Sequence, residues 1–407
     1  MKILLVGLNY APEPVGIGPY STGLAEALAQ RGHDVSVLAG KPYYPQWRAY
    51  DDQPWGRATT RENGVKVTRV PHYIPANPSG ARRIAHHASF AASAYFSAMA
   101  EAREKPDLVF AVAPSLLSVP VAAQAARRAG APLWLHIQDF EVEAAFATGL
   151  LKGGSRMAHG ALALEQRILS AADMISTISP QMCAKLQAKG FAADRIYELR
   201  NWSNAPATPV GETRYRAEWG IGERHVALYS GNIANKQGLE IVVEAARLLC
   251  DRSDLVFVIC GEGPNRANLQ QQAAGLHNVQ FHDLQPAERM GEFLALASIH
   301  LLPQRAEASD LVLPSKLTNM LASGRPVIAT ASPGTGLFDE VEGCGLNTAP
   351  GDERALADGI VALLDDEARR RSLGAAASRR AIERWSKDAI IDGMEKLAAA
   401  LVTKAVR

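Results

Sequence analysis

The strongest constraint on this chain is a recurring unit. A short, nearly uninterrupted apolar run leads into a loop bearing glycine or proline, and a helical pattern follows. Ile3-Leu4-Leu5-Val6-Gly7 opens the chain in this way, and Leu108–Ala113, followed by Pro114, repeats it. A strand apolar at every position, not at alternate ones, must be covered on both faces, so these runs predict a parallel sheet with helices above and below. Strands are expected at Lys2–Gly7, Asp34–Ala39, Val65–Val70, Asp107–Ala113, Pro132–Gln138 and Met174–Ile178, with a helix over Tyr20–Arg31.

The pattern restarts after Ala205-Pro206-Ala207-Thr208-Pro209, which reads as a linker. Strands are then expected at Val226–Ser230, Leu255–Cys260, Val279–His282, Ile299–Pro303, Val327–Thr330 and Leu346–Thr348, with helices near 239–250 and 353–364. The economical architecture is α/β: two doubly wound, Rossmann-like domains facing each other across a cleft, residues 1–205 and 206–386. Lys387–Val402 reads as a lone helix able to pack back on the first domain.

Composition excludes several classes. The net charge of +1 over 407 residues argues against nucleic acid as the main partner. Residues 1–205 carry +5 and residues 206–407 carry −4, so the front half suits an anionic surface or a phosphate-bearing ligand better. Cys183, Cys250, Cys260 and Cys344 lack metal-ligand spacing, and no metal site is expected. Cys250 and Cys260, on a predicted helix and strand, read as small core hydrophobes in a reducing compartment. The run Leu108–Ala126 is uncharged for 19 residues, but Pro114 and Pro120 interrupt it, which favours a buried strand and helix over a membrane span. The apolar run after Met1-Lys2 is too short for a signal peptide, so a cytosolic location is expected.

The loops carry the chemistry. Pro314-Ser315-Lys316-Leu317-Thr318-Asn319 begins a helix that Gly324 should end. A hydroxyl, an ammonium and free backbone N–H groups in one helical turn form an anion site. Taken alone, Ser315 reads equally as a cap and Lys316 as a solvated cation. Other strand ends tip the balance. Gly231-Asn232 and Lys236 follow one strand, Gly261-Glu262-Gly263 the next, and Arg305 a third. A ligand with two phosphates would use all of them. In the front half, Gly16-x-Gly18 arrives nine residues after the first strand, and the second strand ends without an acid, so a nicotinamide-dinucleotide site is a poor fit.

As a set, these residues resemble family 4 of the retaining glycosyltransferases, which have the two-domain GT-B fold. The likeness runs from Gly16-x-Gly18 and Gly32-His33-Asp34-Val35 through Gly231-Asn232 and Gln237-Gly238 to Gly261-Glu262-Gly263-Pro264, Pro314-Ser315-Lys316 and Gly324-Arg325-Pro326-Val327. Asn9-Tyr10-Ala11-Pro12-Glu13, Gln138-Asp139-Phe140 and Leu313–Asn319 are most similar to the WcaI-like, colanic-acid-type fucosyltransferases. The resemblance implies metal-independent, retaining transfer of a hexose, fucose or mannose being favoured, from a nucleotide sugar onto a polyprenyl-diphosphate-linked or other glycan acceptor. The setting would be bacterial exopolysaccharide synthesis at the cytoplasmic face of the inner membrane. The first domain would hold the acceptor and the second the donor. A GDP-sugar is favoured, a UDP-sugar stays open, and no cofactor is needed.

The chain departs from the family at several positions. Leu311 and Asn319 replace two glutamates, Asn232 replaces an arginine, Gln237 aligns with the family lysine, and Gln138 stands where a histidine is usual. Diphosphate charge then falls on Lys236, Lys316 and Arg305. Asp139 would orient sugar or acceptor, Glu262 would contact the sugar, and Asn319 the ribose. His136 and His33 read as structural. A helix pattern follows Arg82-Arg83, with apolar residues at 84, 88, 91, 95 and 99 that should face a core. Arg82 and Arg83 with Phe90, Tyr95 and Phe96 read alternatively as a contact with anionic lipid. A nucleotide-sugar 2-epimerase of the same architecture is the main functional alternative, and a non-catalytic sugar-nucleotide binding protein a weaker one.

Overall fold

The structure, a computed structural model, describes residues 1–14, 16–51, 56–142, 155–202, 213–234, 237–305 and 315–405. The chain forms two compact units, Met1–Asn201 with Ile390–Arg407, and Trp202–Ala389.

The first unit is built on β1 (Lys2–Gly7), β2 (Asp34–Gly40), β3 (Ala58–Glu62), β4 (Val65–Val70), β5 (Leu108–Ala113), β6 (Leu133–Ile137), β7 (Met174–Thr177) and β8 (Ile196–Glu198). Their order in the sheet is β3-β4-β2-β1-β5-β6-β7-β8, and every pairing is parallel except β3 with β4. The continuous apolar runs lie where both faces are covered: β5 and β6 are buried at every residue. Chain order reverses between β1 and β5. In open α/β sheets, ligands bind outside the carboxyl ends of the strands at such a switch point.

The second unit comprises β9 (His225–Ser230), β10 (Leu255–Cys260), β11 (Val279–His282), β12 (Ile299–Leu302), β13 (Val327–Thr330) and β14 (Gly345–Thr348). All pair in parallel, in the order β11-β10-β9-β12-β13-β14, with the switch point between β9 and β12. Its helices start where the sequence supplies caps. Thr335, Asp352 and Asp366 each accept a backbone N–H three residues on.

The Lys387–Ala405 helix packs on the first unit through Ile391, Met394 and Ala398. Arg31 bonds Asp392 at 2.5 Å and Glu395 at 2.6 Å, and His33 meets Glu395 at 2.6 Å. His33 is thus structural, as expected. A Cβ on Gly393 would lie 2.5 Å from the Tyr197 hydroxyl, so glycine lets the helix sit this close without displacing that ring.

Three expectations need correction. Strands β3 and β8 were not anticipated. Cys250 is only half-buried, beyond the end of the Glu240–Leu248 helix, whereas Cys260 and Cys344 are buried. The Gly80–Glu101 helix turns His86, Phe90, Ala94, Ser97 and Ala98 inward, while Ile84, Ala88 and Tyr95 of the expected core stripe are exposed, with Phe96 at 78%. The inward face is centred on Phe90, and the small Ala94, Ser97 and Ala98 let the rest of the helix pack closely. Among the described residues, no helix is long and apolar enough to cross a membrane.

Met394 is fully buried in this packing. Met394→Ala is expected to cost about 2–5 kcal/mol, read as a lowered urea midpoint for the first unit with an unchanged circular-dichroism spectrum.

Candidate active site

In the second unit, the loops after β9 and β10 continue the pairing of their strands. Gly231 N–H donates to the Cys260 carbonyl (2.9 Å), Ile233 N–H to that of Glu262 (2.8 Å), and Asn265 N–H to that of Ile233 (3.1 Å). The backbones touch. A Cβ on Gly261 would lie 1.9 Å from the Gly231 oxygen, and one on Gly263 would lie 2.2 Å from the Ile233 oxygen. Gly231, Gly261 and Gly263 also have φ of 135°, 150° and 155°, conformations that L side chains rarely adopt. These glycines are therefore dictated by geometry and leave a surface of bare backbone.

Lys316 lies against that surface. It stands in the first turn of the Ser315–Ala322 helix, and its Nζ would be 3.2 Å from a Cβ on Gly231. The ammonium donates to the Tyr229 hydroxyl (2.8 Å) and sits 4.2 Å from the centroid of the same ring. Tyr229 in turn donates to the Asn232 carbonyl (2.6 Å). Burial pushes the Tyr229 phenol above its ordinary range, so it stays protonated and can serve as both acceptor and donor. A half-buried cation held beside glycine backbone at a helix N-terminus is an anion-binding arrangement.

The other predicted residues fall as follows. Glu262 pairs with Arg266, which also bonds Asp283 (2.7 Å) and the Gly261 carbonyl (3.1 Å). Arg305 pairs with Glu240 at 3.2 Å, and its side chain lies against Gly238. Asn232 is exposed, and Asn319 lies on the same helix as Lys316, half-buried. Gly324 adopts φ 69° just past that helix, as the pattern predicts. Lys236 and Pro314 lie outside the described residues, and for Ser315 only its place at the start of the helix is described. Tyr229 was missed, because a tyrosine within a strand gives no sign that its hydroxyl holds a lysine.

In the first unit, Gly18 opens the Gly18–Gln30 helix against Glu13. A Cβ on Gly18 would be 3.0 Å from the Glu13 Cβ. Gly16 has φ 73° and lies against the Tyr44 ring. Glu13 itself is buried. It accepts from Asn9 Nδ2 (2.8 Å) and from the N–H groups of Tyr43 (2.9 Å) and Tyr44 (3.0 Å), which ties the loop after β1 to the loop after β2. Burial pushes its carboxyl upward, opposed by those three hydrogen bonds. Asn9 and Glu13, four apart, were legible as a motif though not as a pin.

Past β6, Asp139 is exposed, and Gln138 and His136 are locked. Gln138 and Asn201 exchange amide bonds of 2.9 and 2.8 Å, and the second Gln138 N–H reaches His136 Nε2 (3.0 Å). His136 Nδ1 meets Ser176 Oγ at 2.9 Å, and burial lowers the imidazole to about 3, so it is a neutral core histidine. No cluster of His, Cys, Asp and Glu suited to a metal occurs among the described residues.

Comparison with known proteins places this geometry. Residues 15–202 match the Glycosyl transferase 4-like domain family, and residues 224–366 match Glycosyl transferases group 1. The chain is 40% identical over 373 residues to the colanic acid biosynthesis glycosyl transferase WcaI of Escherichia coli K12, covering 88% of this chain and 91% of that one. It is 26% identical to the GDP-mannose-dependent alpha-mannosyltransferase of Mycolicibacterium smegmatis, over 94% and 93% of the two chains. In fold it resembles sucrose-phosphate synthase of Thermosynechococcus elongatus (TM-score 0.74, 21% identity, 99% and 100% covered). It also resembles Anabaena HepE in complex with UDP (TM-score 0.68, 16% identity, 98% and 100% covered). The interlocked glycine loops and their lysine thus sit in a GT-B enzyme, and the chain belongs to the family 4-like, group 1 glycosyltransferases.

Proposed function

We propose that the chain transfers a hexose, fucose or mannose, from a nucleoside-diphosphate sugar to a polyprenyl-diphosphate-linked or other glycan acceptor in exopolysaccharide synthesis, with retention and without a metal ion. The observation that carries this reading is Lys316, held by Tyr229 beside the bare backbone of Gly231, Gly261 and Gly263. The WcaI relative, named for colanic acid biosynthesis, supports the polysaccharide setting. The mannosyltransferase relative supports a GDP-sugar, and the UDP complex of a fold neighbour keeps a uridine donor in the test. The relatives reported above carry transferase or synthase names, so the 2-epimerase alternative gains no support.

In this reading the second unit takes the donor and the first the acceptor. The bond from the anomeric carbon to the diphosphate oxygen breaks, and its electron pair stays on the phosphate. Lys316, with Lys236 and the backbone N–H groups of the Ser315 turn, stabilises the charge that develops there. Asn232 and Asn319 offer amides to the nucleotide. Arg305 adds charge near the phosphates, Glu262 and Asp139 orient the sugars, and the acceptor oxygen forms the new bond to the anomeric carbon as its proton passes to the departing diphosphate oxygen.

The exposed face of the Gly80–Glu101 helix fits the acceptor's location. Arg82 and Arg83 are exposed in its first turn, and Ile84, Tyr95 and Phe96 are exposed beyond them. Cations flanking apolar side chains suit the surface of an anionic bilayer, with the enzyme peripheral on the cytoplasmic face.

Two predictions separate the parts of this reading. GDP at 100 times its Kd should stabilise the protein by about 2.7 kcal/mol. No rise in melting temperature with either GDP or UDP would remove the donor site. Lys316→Ala should lower transfer on the order of 10²-fold, and near-normal turnover by the folded variant would take Lys316 out of the mechanism. Independently, the protein should sediment with phosphatidylglycerol vesicles, and the Arg82→Glu, Arg83→Glu double variant should stay in the supernatant.

A further inference from the structure

The switch point of the second sheet is filled by Lys316 and its glycines. The corresponding point of the first sheet, beyond the carboxyl ends of β1 and β5, holds a different arrangement. The chain leaves β5 through Ser115, a non-glycine residue at φ 107° whose Oγ is buried without a hydrogen-bond partner among the described residues. Such a backbone is costly and persists only where its surroundings over-determine it, which happens mostly at functional sites. Here the surroundings are Glu141. Its carboxylate accepts the N–H of Ser115 and that of Leu116 (3.2 Å), and Ser118 N–H closes the turn on the Ser115 carbonyl (2.8 Å).

The same carboxylate faces His87, with Oε1 3.4 Å from Nδ1. Burial opposes ionisation of Glu141, but His87 and the two backbone N–H groups together outweigh it and hold the carboxyl below its ordinary range. An ionised carboxylate can only accept, so the Nδ1 that faces it carries a proton, and Nε2 is the ring nitrogen left for another partner. The His87 side chain is 18% exposed, and Nε2 has no protein partner among the described residues. Two other polar groups at this end of the sheet are committed. Gln138 is spent on Asn201 and His136, and Glu13 on the loops after β1 and β2. His86 lies beside the His87 ring and bonds the Tyr73 carbonyl through Nδ1 (2.5 Å), and it is buried.

We propose that His87 hydrogen-bonds a hydroxyl of the sugar acceptor through Nε2, and that Glu141 is the positioning residue that holds the ring through Nδ1. This assignment rests on the glycosyl-transfer reading above. It gives the first unit a specific contact with the acceptor at the ligand-binding edge of its sheet, where Gln138 is internally engaged.

Steady-state kinetics test it. GDP-mannose and GDP-fucose serve as donors, and farnesyl-diphosphate-linked glucose, galactose and fucose as acceptor probes. His87→Ala should raise the acceptor KM about tenfold, the scale of one lost hydrogen bond, with donor KM and GDP affinity unchanged. His87→Gln, whose side-chain amide can occupy the place of Nε2, should recover part of the loss. Glu141→Gln, which can still accept from the Ser115 and Leu116 N–H groups, should raise acceptor KM less than His87→Ala does. An acceptor KM within about twofold of wild type for folded His87→Ala overturns the assignment alone. A wild-type chain that binds GDP or UDP but transfers to none of the probes overturns the transfer reading and the assignment with it.

Discussion

The second unit depends on one close approach, the Gly231 carbonyl against the Cα of Gly261. Parallel sheets normally end in unpaired backbone groups that water or a ligand must satisfy. Here the hydrogen-bond ladder of β9 and β10 runs on into their loops, through Gly231 to Cys260 and Ile233 to Glu262. That continuation needs backbones at contact distance, and contact at that distance forbids side chains. The same rule that removes the side chains leaves room for Lys316, whose ammonium occupies space that a Cβ at position 231 would crowd.

Bringing a cation into that space has an electrostatic cost, and the protein offsets it locally. Lys316 loses part of its hydration but gains the Tyr229 hydroxyl and ring. Tyr229 can give that acceptor only because its own proton is directed to the Asn232 carbonyl. Charge, phenol and carbonyl form one polarised chain, in which each bond strengthens the next. Its outcome is an ammonium held in place before any ligand arrives, which is what transition-state stabilisation by preorganised charge requires.

The first unit solves the loop problem with acids. Glu13 and Glu141 each accept two backbone N–H groups from a loop that leaves a strand at its carboxyl end, Tyr43 and Tyr44 in one case, Ser115 and Leu116 in the other. The two carboxyls shift in opposite directions for a physical reason. Burial dominates at Glu13 and raises it, whereas the added imidazole at Glu141 reverses the balance. The whole-chain tilt in charge, positive in front and negative behind, therefore says little about either site. Local pairing decides, and the second unit, the more acidic by sequence, places its lysine beside bare backbone.

This distinction also explains what the sequence could reveal. Buried parallel strands advertise themselves by continuous apolar runs, so β1, β5, β6, β9 and β10 were readable almost to the residue. By contrast β3, Ala-Thr-Thr-Arg-Glu, is a mostly exposed antiparallel edge, and β8 is three residues long, so neither has a core-facing signature. The 80–101 helix was read in the wrong phase because periodicity weights large side chains, while packing here rewards Ala94 and Ala98. Glycines at strand ends were legible since geometry leaves no substitute. Tyr229, His87 and Glu141 were not, for each acquires its role from a partner distant in the chain: Lys316 is 87 residues from Tyr229. A lone polar residue gives no periodic signal. What makes it functional is the neighbour that fixes its proton, and that neighbour is supplied by the order of the strands.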